Sequence, residues 1–222
     1  MRKKNSNGYS IGEEIFNSVT HGIGALLGIA ALVLMIIFTA IGKGTALDIV
    51  GVSIYGATLI ILYTISTLYH SLTNETAKKV FKVLDHCSIY LLIAGTFTPI
   101  CFSCLISTGY KMILLAVWIW LAAALGIVLY ACYPHRFKVL NIALYISMGW
   151  SIVFMMGDLI TILKTANAMS TLYFLLAGGI AYTVGVIFYV FKKVPYFHSI
   201  FHLFVLGGSV CHFFAVLLYI LK

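Results

Sequence analysis

Long unbroken apolar runs, rather than alternating positions, set the pattern of this 222-residue chain. They occupy residues 17 to 40, 47 to 71, 80 to 104, 112 to 132, 139 to 160, 170 to 191 and 196 to 221. Each is long enough to cross a hydrocarbon core of about 30 Å at about 1.5 Å per helical residue. Backbone groups in lipid must be satisfied within the segment, and these runs lack the period-two alternation of barrel strands, so each predicts a helix. The expected fold is an all-α integral membrane protein, a seven-transmembrane helix bundle.

Breakers and charges punctuate the runs at Gly42-Lys43-Gly44, Asn74-Glu75, Gly109, Pro134-His135-Arg136, Lys164 to Asn167 and Lys192-Lys193-Val194-Pro195. None of these connections has room for a soluble domain, so residues 1–222 read as one membrane domain with a polar N-terminal segment at 1–16. No internal repeat points to a transporter built from related halves. Arg2-Lys3-Lys4 resembles the n-region of a signal peptide. The apolar stretch behind it starts too late and runs too long for cleavage, so it is expected to stay as the first span.

Composition agrees: 62% of residues are hydrophobic, 9% are charged, and the mean hydropathy is +1.07. Soluble globular chains do not have this balance. The charge distribution adds orientation. Arg2, Lys3, Lys4, Lys78, Lys79, Lys82, Arg136, Lys138, Lys192 and Lys193 fall on one side, against Lys43, Lys111, Lys164 and Lys222 on the other. Short cytoplasmic loops retain positive charge, which predicts a cytoplasmic N-terminus and an extracytoplasmic C-terminus. A basic rim facing anionic lipid accounts for the net charge of +8, and no nucleic acid is expected as partner. The five cysteines lie in or beside spans and imply no disulfide framework. The pair Cys101 and Cys104 has no second pair to complete a metal site and reads as apolar packing.

Ionisable residues at membrane depth are costly and therefore informative. His70 ends span two, Asp85 lies in the first turns of span three, and His198 and His202 begin span seven. Glu13, Glu14 and His21 surround the start of span one. Alternate crossing brings all of them to the cytoplasmic side, within about 10 Å of the interface. His198 and His202, four residues apart, share a helical face and can chelate one ion. With His70 they supply three imidazoles, the set that leaves the fourth tetrahedral position of a catalytic zinc open to water. Zinc lowers the pKa of such a water towards roughly 7, and Asp85 is placed to orient or deprotonate it. Ser66 shares the face of His70 and is a candidate donor, either to the ligands' surroundings or to a substrate carbonyl.

In order along the chain, these marks are Glu13 (or Glu14) with Asn17 and His21, Ser66-x-x-x-His70, and His198-x-x-x-His202. They resemble the signature of the hemolysin III proteins within the progestin and adipoQ receptor superfamily. Leu84-Asp85-His86 leading to Gly95-Thr96-Phe97-Thr98-Pro99 is similar to the family's third span. The resemblance covers almost the whole chain. It implies seven helices and a cytoplasmic-side zinc (Zn2+) held by His70, His198 and His202, with Asp85 reaching the metal through water. It also implies kinship to ceramidase-like receptors and alkaline ceramidases, and a place in the bacterial cytoplasmic membrane with a role in lipid homeostasis.

Each residue has a plainer reading beside this one. A histidine in an apolar helix is commonly a hydrogen-bonded packing group, Asp85 can cap helix three, and the Ser66 hydroxyl can bond back to its own helix. His21 is either an alternate ligand or a hydrogen bonder to the site. Glu13, Glu14 and Asn17 either support the site or complement the helix dipole in the first turn. His86, about 100° around the helix from Asp85, and His135, in a basic loop, are expected outside the site. His212, ten residues past His202, lies roughly 15 Å deeper and is expected to line a cavity or bridge helices. Three functions follow: a zinc-dependent hydrolase of a lipid amide or ester whose substrate enters laterally, a non-enzymatic lipid sensor or regulator with zinc as a clamp, and a pore-forming cytolysin. The third fits least, because a secreted toxin must first be soluble.

Overall fold

The computed structural model describes residues 8–42, 44–104, 108, 110–134, 136–191 and 194–220. It contains α1 (Ile11–Ile41), α2 (Ala46–Ser71), α3 (Glu75–Ser103), α4 (Tyr110–Cys132), α5 (Lys138–Gly149), α6 (Met156–Thr165), α7 (Met169–Val190) and α8 (Phe197–Ile220). A 3-10 turn, Ser151–Met155, joins α5 to α6, and the three together form one crossing. Seven helical stretches are thus long and apolar enough to span a membrane, and no strand occurs among the described residues.

The helices differ from the apolar runs most at the starts of α1 and α3 and at the end of the fifth crossing, which continues to Thr165. α1 begins at Ile11, six residues before the hydrophobic run, because Ser10 and Glu13 form a reciprocal cap. The Ser10 hydroxyl accepts the Glu13 N–H at 3.3 Å, and the Glu13 carboxylate accepts the Ser10 N–H at 2.8 Å. α2 carries the same device in Thr45 and Asp48, and α3 starts at Glu75 behind the Asn74 side chain. The fifth span, continuous in hydropathy, is broken after Gly149 by the 3-10 turn, with no proline to announce it.

α1 packs on both α2 and α8, α2 on α3, α3 on α4, and α7 on α8. Lipid tails give apolar side chains no reason to prefer each other, so close approach through small residues does much of the work. A Cβ on Gly24 would meet the Tyr63 ring at 2.5 Å, and one on Gly95 would meet the Thr58 hydroxyl at 2.1 Å. Two apolar cores result. One lies among α3, α4, α5 and α6 around Tyr90, Met112 and Ile119; the other joins α1, α2 and α8 around Met35, Tyr55 and Tyr63. Large apolar side chains such as Leu26 and Leu121 point outward. The expected packed role of the cysteine pair holds: Cys101 and Cys104 are buried and unbridged.

Because α1 and α8 begin at the end where α2 finishes, their polar termini meet there. α5 and α7 touch only sparsely, and a cavity opens between them.

Candidate metal centre

α8 presents His198 and His202 from successive turns, with their Nε2 atoms 3.2 Å apart. Two neutral imidazole nitrogens at that distance share either a proton or a cation. An ion held at about 2.0–2.1 Å by two tetrahedral ligands places them about 3.3 Å apart, so this spacing is compatible with the pair sharing one metal ion as well as with a hydrogen bond. His70, from the last turn of α2, completes the group: one ligand atom from each of the three rings lies within 4.8 Å of the others, and all three residues are buried.

The orientation of His70 is fixed from behind. Its Nδ1 lies 2.5 Å from Glu14 Oε2, and the carboxylate calls for the proton on Nδ1. That tautomer leaves Nε2 as the ring's lone pair, and this atom is buried without a hydrogen-bond partner. A carboxylate behind an imidazole whose far nitrogen is free is the support that metal-bound histidines ordinarily have. The other oxygen of Glu14 accepts from Lys78 Nζ at 2.8 Å. Glu14 is therefore tied to the site by direct contact.

Other residues gather at differing distances. His21 is buried and lies over His202, ring centroids 3.7 Å apart and planes 20° from parallel, with its edge to Tyr63. Face-to-face stacking does not aim a nitrogen at the shared point, and His21 is not in the three-imidazole group. Asn17 is fully buried one turn away, and neither atom of its amide has a partner. Ser66 is buried and its hydroxyl also lacks a partner, unlike Thr67 and Ser71, which bond back to their helix. Glu13 faces the other way and accepts the backbone N–H of Tyr196 at 2.8 Å, just before α8.

Asp85 stands outside the imidazole group. It is half-buried on α3, 3.8 Å from His86 Nδ1. Tyr9 adjoins the imidazole group: its ring stacks on His198 at 4.9 Å and lies 5.9 Å from His70. Burial, then the neighbouring Tyr189, Glu14, Asp85 and Glu13, push the Tyr9 phenol above its ordinary value, so it stays a neutral hydroxyl. His86 turns to Tyr189 and the Lys82 carbonyl, and His135 lies outside the described residues. His212 bridges α8 to the Leu175 carbonyl of α7 and lines the cavity.

That cavity, ≈ 960 Å³ with its mouth included, is walled almost entirely by apolar side chains of α2, α3, α5, α7 and α8. Its upper end is formed by Ile89, Tyr189 and Phe201. Ile89 is one turn below Asp85, and the Phe201 ring is 5.6 Å from that of His198. Its lower end reaches Trp150 and His212.

Two residues of the site, Lys78 and Tyr9, are not among the candidates that the sequence pattern singles out. Lys78 lies seven residues before Asp85, two turns along the same face of α3, and that spacing is the one signal for it. Tyr9 has none, because it precedes the first helix.

Known proteins extend this picture. The sequence profile described as "Haemolysin-III related" matches residues 9–213. The chain is 44% identical over 215 residues to "Hemolysin-3 homolog" of Bacillus subtilis (strain 168), covering 96% of this chain and 97% of that one. It is 45% identical over 209 residues to "Hemolysin-3" of Bacillus cereus, covering 94% and 92%. Human "Monocyte to macrophage differentiation factor" is 29% identical over 177 residues, 76% of this chain and 70% of that one. With a matching profile over nearly its whole length and a bundle of seven apolar crossings, the chain belongs to the haemolysin-III-related family of membrane proteins.

Proposed function

We propose that this protein is a metal-dependent hydrolase of a membrane lipid amide or ester, acting in lipid homeostasis from the cytoplasmic side of the bacterial cytoplasmic membrane. The observation that carries the reading is the group of three buried imidazoles, which no fourth His, Cys, Asp or Glu joins among the described residues. Three protein ligands and an open position are the pattern of catalytic zinc, whereas structural zinc is closed by four. A clamp would need His21 as the fourth ligand, and its stacking on His202 argues against that role.

His70, His198 and His202 would hold the ion, with Glu14 fixing the His70 ring. Zinc bound there would supply Lewis-acid activation of water and of the substrate carbonyl. Asp85, at the head of the apolar cavity, would accept the proton of the attacking water and return it to the leaving group. The unpartnered Ser66 hydroxyl is available to donate to the carbonyl oxygen as it gains charge. The cavity would take an acyl chain entering sideways between α5 and α7, keeping water away from all but the reacting end.

Metal analysis of purified protein, beside His70→Ala and His202→Ala, tests the centre; incubation with a lipid extract followed by mass spectrometry tests turnover. One zinc per chain in the parent and little in either variant is expected. Asp85→Asn is expected to keep the metal and lose hydrolysis. Full hydrolysis by a zinc-loaded Asp85→Asn protein would reject the mechanism. Dye release from liposomes by metal-free protein would instead favour the lytic reading that the name of the Bacillus cereus relative suggests.

A further inference from the structure

We infer that Lys78 is a positioning residue of the metal centre, acting on His70 through Glu14. This rests on the metal-binding reading above. An ammonium group inside a membrane bundle is costly, and Lys78 is 5% exposed. Its contacts have one feature in common. Nζ donates to Glu14 Oε1 at 2.8 Å and to the Leu72 carbonyl at 3.2 Å, and lies 5.4 Å from the centre of the Tyr69 ring. Tyr69 and Leu72 bracket His70 in sequence, and Glu14 holds its ring. Lys78 thus grips the C-terminal end of α2, where a cation also meets the helix dipole favourably, and fixes the carboxylate that orients the ligand.

The division of Glu14 makes the arrangement specific. One oxygen faces His70 and the other faces Lys78, so the carboxylate has a single orientation that serves both. Without Lys78 it can rotate, and the imidazole it holds can turn away from the point shared with His198 and His202. α2 and α8 are both packed on α1, where Glu14 sits, so this link from α3 through α1 to α2 is what sets the stance of the one ligand that α8 does not carry. Lys79, next along the chain, is exposed and serves as the control.

Cobalt(II) titration of the full chain in detergent, read by its d–d absorption, tests this. Lys78→Met is expected to weaken cobalt binding about tenfold, the lower range for groups behind a ligand, and to shift the absorption band; Lys79→Met should match the parent. In the Glu14→Gln background, where the carboxylate is already gone, Lys78→Met should cost no more than about twofold. That double variant buries no unpaired carboxylate, so it reports even if Lys78→Met folds poorly. Parent-like affinity and spectrum in Lys78→Met, or additive losses in the double variant, would overturn the proposal while leaving the three-histidine site intact. If the parent binds no cobalt and His202→Ala behaves identically, the metal reading fails and this inference fails with it.

Discussion

The carboxylate of Glu13 accepts the backbone N–H of Tyr196 at 2.8 Å, joining the first turn of α1 to the turn that opens α8, 183 positions away. Tyr196 has φ of 64°, a left-handed conformation that a bulky residue keeps only when its surroundings hold it. Two residues later comes His198. Adjacent acids in one helical turn therefore serve the two helices that carry the imidazole group, Glu13 the start of α8 and Glu14 the end of α2.

Glu13→Ala removes both this contact and the α1 cap, and should cost about 1–2 kcal/mol of stability. It should also weaken metal binding, since the turn before His198 loses its anchor. Glu13→Gln, which keeps an acceptor oxygen, should fall between the two. Thermal melts in detergent, with and without added zinc, check this. A Glu13→Ala protein that melts lower but binds zinc as the parent does would confine Glu13 to capping.

Filling the cavity should separate substrate binding from metal binding. Val186 lines it between Tyr182 and Tyr189, away from the imidazoles. Val186→Phe adds bulk where the acyl chain would lie and should raise KM for long-chain substrates, leaving kcat on short-chain analogues and the zinc content unchanged. Equal loss on short and long chains would show that this space is not the chain's path.

Much of the fold and of the candidate site is legible in the amino-acid sequence. Seven crossings follow from apolar runs too long for anything else, and the His198/His202 pair follows from the four-residue helical repeat. The start of α1 is obscured because Glu13, Glu14 and Asn17 lower local hydropathy, although they are buried and helical. Hydropathy marks lipid contact, and these residues face the protein. The break after Gly149 leaves no trace for the same reason: a 3-10 turn among apolar residues does not alter the pattern. Lys78 reads as one of the rim charges, since a lysine near a helix start is usually solvated, and only the position of Glu14 in space shows it buried. Asp85 reads at the correct end of its span, but its separation from the imidazole group depends on the rotation of α3, which a sequence does not carry.

Gly126 should tolerate a single added methyl group poorly. A Cβ there would fall 2.3 Å from Cε1 and 2.4 Å from Cζ of Tyr90. Tyr90 cannot retreat: it is fully buried and its hydroxyl donates to Asn141 Oδ1 at 2.6 Å, holding α3 to α5. Gly126→Ala should therefore cost about 1–3 kcal/mol, as overpacking does. Gly179→Ala, whose Cβ would meet only the Trp150 ring at 3.7 Å, should be nearly neutral. Melting temperatures of the two variants measured together provide the check, and similar values would contradict the packing described between α3 and α4.

Ser66 offers the sharpest contrast between stability and chemistry. Its hydroxyl is buried and without a partner, so it lowers the stability of the resting protein by roughly the desolvation cost of an unmade hydrogen bond, about 1–3 kcal/mol. Ser66→Ala removes that penalty and little volume, and should melt at or above the parent temperature. The hydroxyl's use would come when a carbonyl oxygen gains charge beside it, so the same variant should lose about 10²–10³ in kcat, the usual cost of deleting one such donor. Zinc content should not change, because Ser66 is one turn from His70 and is not a ligand. Raised stability with unchanged turnover would assign Ser66 to packing and leave stabilisation of the carbonyl oxygen to the metal.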